Sequence, residues 1–218
     1  MLRYPILILD HDDTVVKSTP QIHYPAFAQS LKELRPNRKL DLEEFVLYNF
    51  EPGFNALCRD ILGFSEEEMA RQVDNWAAYV KAHVPEPYDG FSPLLQDYCR
   101  AGGRFFVVSH SLSENIYRDY EKNGLPRPEL VFGWERPEEE RKPSPFPLFQ
   151  IMEQCGCDAK DMLVVDDLKP GREMALSADV PFACAGWFCD IPKIRDYMME
   201  NSNFYLHSVS ELRDLLWL

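Results

Sequence analysis

Positive charge is scarce in this 218-residue chain. Lys and Arg number 23 against 36 Asp and Glu, a formal net charge of −13. That balance argues against non-specific binding to nucleic acid or to anionic membrane surfaces, both polyanions. Any anionic substrate therefore needs a local cationic pocket. Long apolar runs are also missing: none approaches the roughly 20 residues that cross a bilayer. The first apolar run starts almost at Met1, which leaves no room for a signal peptide, so a cytoplasmic protein is expected. Six cysteines (Cys58, Cys99, Cys155, Cys157, Cys184 and Cys189) include no CxxC pair, and no histidine stands at zinc-finger spacing. Free thiols are the expectation. No internal repeat or low-complexity tract interrupts the chain, and 45% hydrophobic residues suffice for one substantial core with a smaller satellite.

Short apolar, β-rich runs recur at "PILILD" (5–10), "RFFVVSH" (104–110), "LVFG" (130–133), "MLVVDD" (162–167) and "PFACAGW" (181–187). Segments of helical spacing separate most of them, and two of these end in glycine as a C-cap would. Strands alternating with helices predict an α/β fold, a Rossmann-like doubly wound parallel sheet. The unbroken apolar character of the strands fits a sheet covered on both faces. Ligands in such folds bind at the carboxyl ends of the strands. More than ninety residues separate the first two runs, far more than one crossover helix needs. Residues 18–85 read as several helices, one opening with a Ser65/Glu68 capping box. The predicted organisation is a catalytic core of 1–17 and 86–218 with a helical cap at 18–85.

"ILILDHDDTVV" (6–16) places three aspartates at the tip of a buried strand. Asp10 and Asp12 are two apart, so an extended chain points both to one side. Two converging carboxylates repel, and a divalent cation is the usual relief. On this stretch alone, an Asp-rich turn capping the next helix explains the residues equally well. The other strand ends favour a site. Ser109, followed by His110 and Ser111, ends the second run, Asp166 and Asp167 end the fourth, and Lys142 stands in the loop before the fourth run's preceding helix. Hard oxygen ligands with few carboxylates suit Mg²⁺, which keeps several waters and takes further ligands from phosphate. His11 falls on the opposite face and reads as a packing or hydrogen-bonded residue.

These motifs resemble those of the haloacid dehalogenase-like hydrolase superfamily, in particular its phosphatases with a helical cap between the first two motifs. "DHDDT" matches DxDx[TV], "VVSHS" the Ser/Thr motif, "RKPSP" the Lys-Pro-x-Pro motif and "LVVDD" the two-aspartate acidic motif. The resemblance implies Asp10 as nucleophile and Asp12 as acid/base. It also implies phosphate binding by Ser109, the backbone N–H of His110 and Lys142. Mg²⁺ would be held by the Asp10 carboxylate, the backbone carbonyl of Asp12 and Asp167, with Asp166 direct or through water. Asp13 stands where relatives often have Gly, and Gly171 where many place another acid; the division of metal contacts between Asp166 and Asp167 stays open.

The implied activity is Mg²⁺-dependent hydrolysis of a small phosphorylated metabolite through an aspartyl-phosphate. A phosphomutase would share Asp10 and Asp12, and a non-catalytic phospholigand-binding protein would keep the fold without turnover. In the resembling phosphatases a cap turn faces the active site on closure. That turn corresponds to "LYNFEPGFNALCRD" (47–60) and makes Tyr48, Asn55 and Arg59 the candidates for substrate selectivity. The alternative for its aromatics is packing within the cap.

Overall fold

The computed structural model describes residues 1–188 and 190–218. Cys189 lies outside the described residues, and the other five cysteines are free thiols. The chain divides into two compact units, Met1–Val16 with Glu86–Leu218, and Lys17–Pro85.

Strand β1 (Ile6–Leu9) opens the first unit. The second unit is helical: α1 (Tyr24–Leu34), α2 (Leu42–Phe50), the short α3 (Phe54–Ala56), which runs on into a wider turn at Leu57–Ile61, and α4 (Glu66–Ala82). Both α2 and α4 begin with reciprocal capping boxes, Asp41 with Glu44 and Ser65 with Glu68, which satisfy orphan N–H groups at each start. Phe27, Phe45, Leu57, Leu62 and Phe64 form this unit's own core. Arg35, just past α1, joins its pieces. It donates to the Leu34, Leu62 and Gly63 carbonyls and pairs bidentately with Glu68 at 2.7 and 2.9 Å.

The chain then resumes the first unit with α5 (Phe91–Arg100), β2 (Arg104–Val108), α6 (Ser113–Lys122), β3 (Val131–Phe132), α7 (Phe146–Cys155) and β4 (Met162–Asp166). It closes with α8 (Lys169–Ser177), β5 (Phe182–Ala185), α9 (Pro192–Asn201), β6 (Phe204–Leu206) and α10 (Val209–Leu216). The six strands form one parallel sheet in the order β3-β2-β1-β4-β5-β6. This is the doubly wound arrangement, and its order reverses between β1 and β4.

Alternation along the central strands explains their unbroken apolar runs. Leu7 and Leu9 join Phe105, Val107, Leu163 and Val165 in a core with Leu95, Tyr98, Ile116 and Leu212. Ile6, Ile8, Phe106 and Val164, on the other face, are equally buried. Five strands lie within the runs expected of them. The sixth was not anticipated: it has three residues, of which only Leu206 is buried. Among the described residues no helix is long and apolar enough to cross a membrane.

Candidate active site

Asp10 follows β1 directly, and its N–H bonds to the Val165 carbonyl at 2.9 Å, which sets it level with the end of β4. The chain then curls back: the N–H groups of Val15 and Val16 meet the His11 carbonyl at 3.0 and 3.1 Å, and that of Asp13 meets Val16 at 2.8 Å. Asp13 has φ 57°, in the left-handed region. Aspartate is among the few non-glycine residues that tolerate it, so the departure from glycine leaves a workable turn. His11 points away from the strand ends. Its Nε2 lies 3.2 Å from Asp119 Oδ2, and its ring stacks on Tyr120.

The two motif aspartates have different partners. Lys142, buried in the loop before α7, donates from Nζ to Asp10 Oδ1 at 2.7 Å and Asp166 Oδ2 at 2.6 Å. Burial works against its ammonium, but Asp10 and then Asp166 more than offset that and raise its pKa above the ordinary lysine value. Asp12 is half-buried and accepts a 2.6 Å hydrogen bond from Ser111 Oγ, with Ser109 Oγ at 3.5 Å. Ser109 Oγ in turn accepts from the Ser111 N–H at 3.1 Å. The His110 ring is engaged by the loop that carries Lys142: Nε2 donates to the Lys142 carbonyl at 2.8 Å, since a carbonyl can only accept.

Asp10, Asp166 and Asp167 are buried, with a ligand oxygen of each within 4.8 Å of the others. Asp166 is satisfied on both oxygens, by Lys142 and by the Leu168 N–H at 2.9 Å. Asp167 receives no hydrogen bond from a described residue. Burial first, then Asp166, Asp10 and Asp13, push its carboxyl well above the usual range. Three carboxylates against one ammonium leave a formal excess of two negative charges, the complement of a divalent cation. An all-oxygen donor set also suits Mg²⁺, so the residues present fit that ion. The Asp12 carboxylate is not in this group; its backbone carbonyl is the atom expected to contribute.

Two features escaped sequence reasoning. Ser111 is a plain serine in "SHSLS", and only the curl of the chain after β2 turns it onto Asp12. Gly171, in the first turn of α8, is the place where Asp166 fits: a Cβ there would overlap the Asp166 carboxylate. The acid lacking at 171 and the acid present at 166 thus occupy one volume, a coupling that the odd glycine in "DDLKPG" hinted at. In the helical unit, Tyr48 packs against that unit's core, Asn55 is exposed, and Arg59 pairs with Glu66. Phe54 lies edge-on to Phe27 and Phe45, the packing alternative for that aromatic.

A family model for haloacid dehalogenase-like hydrolases matches residues 7–185, and the chain belongs to that family. No curated protein matches the sequence at a significant level. Among solved structures it is similar to a predicted phosphoglycolate phosphatase from Haemophilus somnus 129PT, with TM-score 0.79, 16% identity and 99% of each chain covered. It is also similar to CbbY from Rhodobacter sphaeroides in complex with xylulose-1,5-bisphosphate, with TM-score 0.72, 17% identity and 100% of each chain covered. A third is a haloacid dehalogenase-superfamily hydrolase of subfamily IA from Geobacter sulfurreducens, with TM-score 0.68, 18% identity, 99% of this chain and 97% of that chain. At such identities the likeness shows the shared fold.

Proposed function

We propose that the protein is a cytoplasmic, Mg²⁺-dependent phosphomonoester hydrolase that transfers the phosphoryl group of a small metabolite to Asp10 and then to water. The observation that carries this reading is the buried group of Asp10, Asp166 and Asp167 with one ammonium among them. Asp10, the Asp12 backbone carbonyl and Asp167 would hold the ion, with Asp166 direct or through water. When bound, Mg²⁺ neutralises the charge that phosphate oxygens bring into the site.

Lys142 donates to Asp10 Oδ1 and orients it, and a carboxylate so placed attacks a phosphorus held in line. The Ser109 hydroxyl, the His110 N–H and Lys142 face the phosphoryl oxygens and stabilise their charge in transfer. Asp12, half-open and held by Ser111, gives its proton to the departing alcohol oxygen and accepts one from the water that cleaves the aspartyl-phosphate. Tyr48, Asn55 and Arg59 read the leaving group. For Arg59 that requires leaving Glu66, and for Tyr48 only its exposed edge is available.

The test is phosphate release from an aryl phosphate with and without Mg²⁺. Asp10→Asn should abolish turnover in folded protein, and Asp12→Asn should slow it by roughly 10²–10⁴-fold. Undiminished release by Asp10→Asn protein rules out the nucleophile. Release of phosphate to water, rather than its retention on a product, separates a hydrolase from a mutase.

A further inference from the structure

In a chain this acidic, most arginines meet a carboxylate, and Arg136 takes Glu140 at 2.9 Å. Arg141 follows directly on Glu138, Glu139 and Glu140 and yet makes no ion pair among the described residues. Its guanidinium carbon lies 4.0 Å above the centre of the Trp134 ring. Nη1 makes a long 3.4 Å contact to the Trp134 carbonyl, and Nε is buried with no partner. Trp134 itself is 52% exposed, which is unusual for an indole whose neighbours are catalytic loops. Its ring stands nearly perpendicular to the His110 ring, with centroids 5.6 Å apart, and that ring holds the Lys142 carbonyl. The Trp134 backbone N–H donates to the Ser111 carbonyl at 2.9 Å, and Ser111 holds Asp12. The Trp134–Arg141 stack is thus built onto both loops that carry the phosphoryl-binding groups.

An indole beneath a guanidinium covers one face of the cation and leaves its in-plane donors uncovered; with Nε buried, the end-on pair Nη1 and Nη2 is the fork that takes a planar or tetrahedral anion in two hydrogen bonds. We infer that Arg141, supported by Trp134, is a second anion subsite. The substrate then carries an anionic group, carboxylate or phosphate, beyond the phosphoryl group that is transferred. This rests on the phosphatase reading above and names its substrate class.

The probes are methylphosphonate, with one anionic group, and phosphonoacetate and methylenediphosphonate, with two. Each is used to inhibit aryl phosphate hydrolysis in Mg²⁺. The wild type should bind a two-anion compound at least tenfold more tightly than methylphosphonate, and Arg141→Gln should cut that ratio at least fivefold. Arg141→Lys, which keeps the charge, should retain more of it. Chelation of Mg²⁺ by the two-anion compounds is common to all variants and cancels in the comparison. A preference for phosphonoacetate identifies a carboxylate, and one for methylenediphosphonate a phosphate. An unchanged ratio in Arg141→Gln overturns the subsite. If that variant does not fold, Trp134→Ala should lower the ratio, and an unchanged ratio there overturns it equally. If no aryl phosphate is hydrolysed, the phosphatase reading fails by itself, and calorimetric affinities for the same three compounds still decide the subsite.

Discussion

Asp167 is a buried carboxylate surrounded by other carboxylates, an arrangement that costs the metal-free protein stability and that the proposed ion would relieve. Asp167→Asn removes that charge and should raise the melting temperature in chelator above the wild type's, while abolishing activity. Mg²⁺ should raise the wild type's melting temperature, by about 2.7 kcal/mol of stability at a hundredfold excess over Kd, and leave the variant's nearly unmoved. Asp166 and Gly171 form a second coupled pair. Gly171→Ala should cost about 1–3 kcal/mol in the wild type from overpacking. In an Asp166→Gly background, where the overlap is gone, thermal denaturation should show a much smaller loss. Ser111 makes a third residue-level test. Hydrogen bonds to charged groups contribute about 1.5–3 kcal/mol, so Ser111→Ala should lower kcat roughly ten- to hundredfold through a misplaced Asp12. Ser111→Thr, with its hydroxyl restored, should recover most of it.

At the scale of elements, Arg35 and Glu68 tie the end of α1 to the start of α4. The Arg35 guanidinium, with help from the Ser65 N–H, lowers the Glu68 carboxyl to about 2 from its ordinary 4.5. A depressed carboxylate stabilises the folded state above its unfolded pKa, and that contribution fades as pH falls from about 4.5 towards 2. Acid unfolding of Glu68→Gln, followed by far-UV dichroism, should therefore vary less with pH in that window than the wild type. The helices here were legible because their signals are local: the Ser65/Glu68 box and the 3.6-residue apolar spacing require no knowledge of the rest of the chain. Strand β6 was not, because "FYL" is short and half-exposed, and only pairing with β5 makes it a strand. The motif aspartates and Ser109 were legible as types at strand ends, and Lys142 as a lysine in the loop before α7. Their partners were not, since a 132-residue separation between Lys142 and Asp10 is closed by the sheet rather than by any local pattern.

Across the whole molecule, the sheet order puts β1 at the centre, between β2 and β4. Its pairing partners start at Arg104 and Met162, so the strand that leads into Asp10 is made first and is paired on both sides only once β4 has been made. During synthesis at about 5–20 residues per second, the "ILIL" segment waits roughly 8–30 seconds before β4 has been translated. The helical segment, whose contacts are local, has no such delay. A four-residue apolar strand left with an open edge for that interval is a natural target for chaperone capture and for premature association with other chains. The aspartates that immediately follow it place negative charge beside that segment throughout the wait, and so act as gatekeepers of the nascent chain before the sheet gathers Asp10 with Asp166 and Asp167.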